Sequence, residues 1–213
     1  MKFDRKDKEQ VEAIVNRLHS LQENSGPPYD IDTIFKKLDI EVCEVNCPTQ
    51  REMNFKMPIL ERLSDNFYRL YVAKSQDTTY TYYKKTIGLM MCLFNNLKIG
   101  EQMTNYDIIK NKNKINDFMN PVMIEFLIPT ELLNQDFMNP KIVRNPNLFL
   151  SKTTKKYCVP SSLMMFRVIK FMEGVKQQMK DEGIDVDQMM KEMQEMQREM
   201  EEFDDNNNDD DKE

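Results

Sequence analysis

Histidine occurs once, at position 19, in a chain of 213 residues. A single imidazole excludes chemistry that needs two, including a zinc site of the HExxH kind, and leaves Asp, Glu and Cys arrangements or no catalysis. Long apolar runs are lacking too: nothing approaches the ~18 uninterrupted residues of a membrane helix. The opening MKFDRKDKEQ is charged where a secretory leader turns apolar, so a cytoplasmic protein is expected. Cysteine is scarce, and Cys43, Cys47, Cys92 and Cys158 read as reduced thiols in that compartment. Together they offer one rival reading, a four-thiolate zinc site. Such sites are usually built from two close pairs, and Cys92 and Cys158 lie far apart.

What is present fits about one globular domain: 40% hydrophobic and 31% charged residues over this length. The net charge of -6 averages two unlike parts. Residues 1–172 hold 25 basic against 20 acidic side chains, and residues 173–213 hold 5 against 16. A mildly basic body thus carries a strongly acidic tail, a pattern of a solvated tail or of a segment that masks a basic face.

Val11, Ile14, Val15, Leu18 and Leu21 form one helical stripe in an opening helix over 4–22, stopped by Asn24-Ser-Gly-Pro-Pro28. His19 reads as a partly exposed residue of that helix rather than a proton shuttle. Asp30 or Asp32 caps a short helix with Ile31, Ile34, Phe35 and Leu38. Residues 40–46 and 67–73 alternate as half-buried strands do, while 47–66 give no firm pattern. The run Thr86–Leu97 is apolar on nearly every side, which predicts a buried central helix. Residues 110–117 read as a polar loop, followed by a helix with Phe118, Val122, Met123, Phe126 and Leu127 that ends at Pro129. Residues 134–147 show no clean period. A helix of about two turns at 148–156, a tight turn at 157–160 and a long helix from Ser161 resemble a helix-turn-helix pair.

This order of elements resembles the ImmA/IrrE family of small zincin-like metallopeptidases from phages, integrative elements and their hosts. The likeness spans residues ~31–171 at the level of pattern. IFKKLDIEV resembles the family's opening "lA..lGi.V" segment, and LYVAK its strand before the active-site helix. FMNPVMIEFLIP (118–129) is similar to "AN.FA..LLMP", keeping Asn120, Leu127 and Pro129, and YCVPSSLMMFRVIKF (157–171) to "f.VS......RL..L", with Val159 and Arg167 in register. The resemblance implies an α+β fold: a reduced zincin-like domain with a small sheet, a helix-turn-helix-like close and a helical acidic extension.

The catalytic motif departs. The family's "RFTLAHELGH" falls on YYKKTIGLMM (82–91), so Ile87 and Met91 stand where the zinc histidines belong, Gly88 where the general-base glutamate belongs, and Asn116 or Phe118 at the downstream acidic ligand. A zinc hydrolase needs three ligands, an open water position and a base. On this alignment those roles are vacant, which implies a pseudo-peptidase with no cofactor and no metal. An enzyme with a rebuilt carboxylate or thiolate site is an alternative. Glu125 and Glu131 flank the Leu127–Pro129 turn and read as surface ion-pairing residues.

Two partner readings follow. Lys152, Lys155, Lys156, Arg167 and Lys170 lie on the helix-turn-helix-like pair, where phosphate contacts would fall, so a DNA-binding regulator is one. The start of the second helix, Ser161-Ser-Leu-Met-Met165, lacks the Arg, Asn or Gln that base readout favours. The other reading rests on methionine. Met165, Val168, Met172, Val175 and Met179 recur at spacings of 3, 4, 3 and 4, and Val186, Met189, Met193, Met196, Met200 and Phe203 continue at 3, 4, 3, 4 and 3. These are a/d seams, which read either as a helical hairpin packing on its own body or a short homodimeric coiled coil, or as an adaptable surface for a partner helix, since unbranched, polarisable Met repacks around varied shapes. The expected organisation is a domain over 1–172, a Met-rich amphipathic helix over 173–203 and a disordered acidic tail over 204–213. The expected function is a non-catalytic protein-binding or regulatory factor, phage or mobile-element encoded, that engages a host or phage protein or a second copy, with no membrane contact.

Overall fold

Val11, Val15 and Leu18 come round on one side of a helix and are buried, which sets the packed face of α1 (Arg5–Ser20). The computed structural model describes residues 5–24, 26–47, 49, 56–110, 114–138 and 146–183. The chain divides into two units, residues 1–167 and 168–213.

In the first unit, α2 (Ile31–Lys37) begins where the Asp30 carboxylate accepts the Thr33 amide at 3.1 Å and the Thr33 hydroxyl at 2.7 Å. It buries Ile31, Ile34 and Phe35. Asp39, at φ 54°, turns the chain into β1 (Ile40–Val45), a left-handed position that a short polar side chain tolerates. β2 (Ile59–Arg62) and β3 (Tyr68–Ala73) form an antiparallel pair. The Arg62 guanidinium holds its turn by donating to the carbonyls of Ser64, Asp65 and Leu97. β1 joins β3 in parallel and β4 (Gln102–Thr104) joins β2 antiparallel, giving the order β1-β3-β2-β4 among the described residues. β3 is thus central, with Leu70, Val72 and Ala73 buried.

α3 (Thr78–Phe94) covers this sheet, contacting β2 and β3, and its first turn is capped by Asp77, which accepts the Tyr80 amide at 3.1 Å. α4 (Asn105–Lys110) starts from a reciprocal pair between Thr104 and Asp107. α5 (Lys114–Leu127) packs on both α1 and α3. α6 (Thr130–Phe137) and α7 (Pro146–Tyr157) follow, and Phe137 stacks on Phe149 at 4.8 Å. α7 ends with Cys158 at φ 51° and the Val159 amide bonded back to the Thr154 carbonyl, a Schellman-like close that releases the chain into α8 (Ser161–Asp181). The architecture is α+β.

Several expectations need correction. The expected loop at 110–117 is cut back from both ends: α4 reaches Lys110 and α5 starts at Lys114, where in the sequence Ile115 stands at helical spacing from Phe118 and Val122, and residues 111–113 lie outside the described residues. Pro121 sits inside α5, tolerated there despite its missing amide hydrogen. Part of the aperiodic stretch 134–147 is α6, whose only buried large side chain is Leu133, too few for a readable period. Helix α7 has 12 residues, three turns rather than two. β2 lies inside 47–66, where polar residues masked its short pattern.

Candidate functional site

The first place to look is α3, whose second half is apolar all round. Ile87, Leu89, Met90 and Met91 are buried there. Gly88 faces Leu70 of β3 so closely that a Cβ would lie 2.4 Å and 2.5 Å from its two δ-carbons. The residues at the positions matched to the zinc site therefore do not fit zinc: Ile87 offers no donor, Met91 only a buried thioether, and no glutamate fits at Gly88 without displacing Leu70. Asn116 lies in the first turn of α5. Among the described residues no group of three or more His, Cys, Asp or Glu is placed to hold a metal ion. The four cysteines are half-buried thiols, and burial pushes the Cys92 thiol above its usual range.

Polar side chains at the other end of α3 are satisfied locally. The Lys84 ammonium donates to the Met57 carbonyl at 3.3 Å and lies 5.4 Å from the centre of the Tyr80 ring, and burial holds its pKa below the usual lysine value. The Tyr82 hydroxyl accepts the Tyr29 amide at 3.0 Å, and the Thr86 hydroxyl donates to the Tyr82 carbonyl.

His19 is the second feature. Its ring stacks on Tyr29 at 4.3 Å and Phe126 at 5.3 Å, so α1 is joined to α5 by an aromatic cluster. The residue is partly exposed, as expected, but its Nε2 is buried without a hydrogen-bond partner. Burial lowers its pKa, while a bond to the Phe126 backbone and the charge of Glu125 oppose that shift. Gln22 beside it accepts the Asp30 amide at 2.9 Å.

Glu125 belongs to a third group. Its carboxylate accepts the amide and hydroxyl of Thr130, both at 2.8 Å, and an Arg167 Nη2 at 2.6 Å. Arg167 also donates to the Thr130 hydroxyl at 2.6 Å and to the Ile128 carbonyl at 3.3 Å. This clasp ties α5, α6 and the start of α8 together. The expected ion-pairing role of Glu125 is seen, but its partner Arg167 was grouped with the basic cluster. No sequence motif links residues 42 apart, so only the helix-to-helix turn at Pro129 hinted at the pair.

The five basic residues of the helix-turn-helix-like pair are not gathered into a free patch. Arg167 is held in the clasp, Lys156 pairs with Asp136 at 2.7 Å, and Lys170 pairs with Glu173 at 2.7 Å. Lys152 and Lys155 are exposed.

In the second unit, Ile169, Met172 and Val175 of α8 are exposed. Gly183, at φ 80°, closes the helix, with its amide bonded to the Lys180 carbonyl. The predicted seam residues Val186, Met189, Met193, Met196, Met200 and Phe203 lie outside the described residues. No helix of the described chain is long and apolar enough to cross a membrane. No protein-family model matches the chain, and no curated protein matches its sequence.

Proposed function

We propose that the chain is a non-catalytic protein-binding factor, built on a zincin-like scaffold whose catalytic helix has become core, of phage or mobile-element origin. The scaffold reading is supported by the order of α2, β1, the β2–β3 pair, α3 and α5, which follows the segments of the resemblance. The loss of catalysis is supported by the Gly88–Leu70 contact, since a general-base glutamate at position 88 would have to displace the Leu70 side chain.

The observation that carries the binding reading is the exposed apolar face of α8. Ile169, Met172 and Val175 are 49%, 52% and 37% exposed. Scattered apolar side chains at a surface are ordinary, but a spaced set on one helix marks a place where another helix docks. The alternative, DNA binding through the helix-turn-helix-like pair, is weaker because three of its five basic residues are already in ion pairs.

The test compares the full chain with a full-length variant carrying Ile169→Ser, Met172→Ser and Val175→Ser, both used as bait in the native cell. The unaltered chain retains a stoichiometric protein partner through a salt titration, and the variant loses it. Retention that falls steeply with salt points to phosphate contacts instead and contradicts the reading.

A further inference from the structure

Two polar side chains at the end of α1 each carry one unsatisfied atom. Among the described residues, the buried side-chain nitrogens and oxygens without a hydrogen-bond partner are Nε2 of His19 and Nε2 of Gln22. Gln22 as a whole is only 9% exposed. A buried polar atom left so costs free energy comparable to a lost hydrogen bond, and two of them three residues apart point to one occupant that satisfies both.

Both side chains turn to the same segment. The His19 ring lies 4.3 Å from that of Tyr29, and the Gln22 Oε1 accepts the amide of Asp30, the next residue, at 2.9 Å. The turn after α1 holds their backbones together, the Gln22 amide donating to the His19 carbonyl at 3.4 Å.

The surrounding bonds fix what each atom can do. Because Oε1 of Gln22 is engaged by the Asp30 amide, the other arm of the group is an NH2 donor, and turning it over would set that donor against the Asp30 N–H. His19 bonds to the Phe126 backbone, and with Nε2 unpartnered that bond is made by Nδ1. Phe126 stands in the last turn of α5, where carbonyls run out of helical donors, and the Thr130 amide that would serve it goes to the Glu125 carboxylate at 2.8 Å. Nδ1 therefore donates to the Phe126 carbonyl, and Nε2 of the neutral ring is a bare acceptor.

One unmatched donor and one unmatched acceptor select their ligand. The Gln22 amide hydrogens repel a cation, and the His19 lone pair repels an anion. Only a group that accepts and donates at once, a hydroxyl, satisfies both. Tyr29 and Phe126 enclose the place, being 5% and 0% exposed, so no partner's side chain reaches it and the smallest hydroxyl, water, is the one that fits.

We infer that one buried water bridges Gln22 and His19, accepting from the Gln22 amide and donating to the His19 Nε2. The bridge joins the end of α1 to itself beside Tyr29–Asp30 and, through the ring, holds the imidazole in the tautomer that caps α5.

The test is nuclear magnetic resonance on the isotope-labelled full chain at neutral pH. Long-range nitrogen spectra read the tautomer, and water-selective Overhauser measurements read the neighbours of any long-lived water. Expected are a protonated Nδ1, a bare Nε2, and effects of slow-tumbling sign from the water line to both His19 Hδ2 and the Gln22 side-chain amide. They persist in Tyr29→Phe, which removes the hydroxyl of the ring stacked on His19. In Gln22→Met, or Gln22→Asn should Met unfold the chain, the effect at His19 falls severalfold. A proton on Nε2, no effect at either group, an effect at only one, or its loss in Tyr29→Phe would overturn the bridge. So would an unchanged effect at His19 in the folded Gln22 variant, since the water would then not be shared.

Discussion

Two helices of this chain carry comparable apolar side chains and treat them in opposite ways. Along α3, Leu89 and Met90 are fully enclosed and Met91 is 1% exposed, whereas along α8, Met165 and Phe166 are each 47% exposed and the next turns continue so. The difference follows from pattern. An all-round apolar segment has no polar side to turn to water, so it is driven into the middle of the domain, and the resulting contacts fix its neighbours closely. A one-sided stripe needs only one covering surface, and flexible methionine accepts several. The first helix specifies structure; the second is suited to recognition.

The buried side of the comparison breaks most strongly under Gly88→Glu with Met91→His, which rebuilds two of the catalytic identities. Overpacking against Leu70 and burying polar groups without partners should together cost about 4 kcal/mol, read by chemical denaturation, with no gain of peptidase activity. Unchanged melting would place this face of α3 at the surface. Metal analysis of the unaltered protein should find no stoichiometric zinc; one zinc per chain, lost in Cys43→Ser, would revive the thiolate site.

A gentler probe is Gly88→Ala, expected to cost about 1–3 kcal/mol because the Leu70 side chain must move. Leu70→Val in the same chain should recover part of it. Strict additivity of the two changes would mean that they do not touch.

The clasp between Arg167 and Glu125 comes next. Both side chains retain some exposure, so solvent screening discounts the pair, and Arg167→Met should cost about 1–2 kcal/mol. Glu125→Gln added to that variant should cost little more. A full second penalty would show that Arg167 acts elsewhere.

The smallest effect is a pH dependence at His19. Burial lowers its pKa in the folded chain from 6.5 in the unfolded one, so the unfolded state binds the extra proton first. Stability is therefore intact above 6.5 and falls as pH drops through 6.5 toward the folded value. His19→Phe should flatten that part of the profile, which is read as the difference between the two proteins so that carboxylate titrations cancel. Identical profiles would place the imidazole in water.

Much of the comparison was legible from residues alone. The all-round apolarity of 86–97 pointed to core, and the cap at Asp30 and the turn at 157–160 follow from local chemistry that sequence carries. What was not legible depends on distant partners. The short strand β2 shows itself only against Tyr68–Tyr71, and α6 has one buried side chain and so no period. The clasp joins residues 42 apart, and the enclosure of His19 is made by Tyr29 and Phe126, neither on its own helix. Periodicity reports one face of one element; it is silent on which neighbour completes a site.

The proposed binding role extends to the methionine seam expected beyond α8, and it is tested most directly by partner affinity in two triple variants across a salt titration. In one, Met193, Met196 and Met200 become Ser; in the other, Glu192, Glu195 and Glu199 become Gln, with backbone helix propensity nearly unchanged. Each Met removed from water contributes on the order of 1.5 kcal/mol, so the Met variant should bind about a thousandfold more weakly, even allowing for non-additivity. The Glu variant should stay within several-fold of the original, and the original should vary little with salt. A larger loss in the Glu variant, with affinity falling steeply as salt rises, would mean that the tail works by its charge and that the methionine seam is not the binding surface.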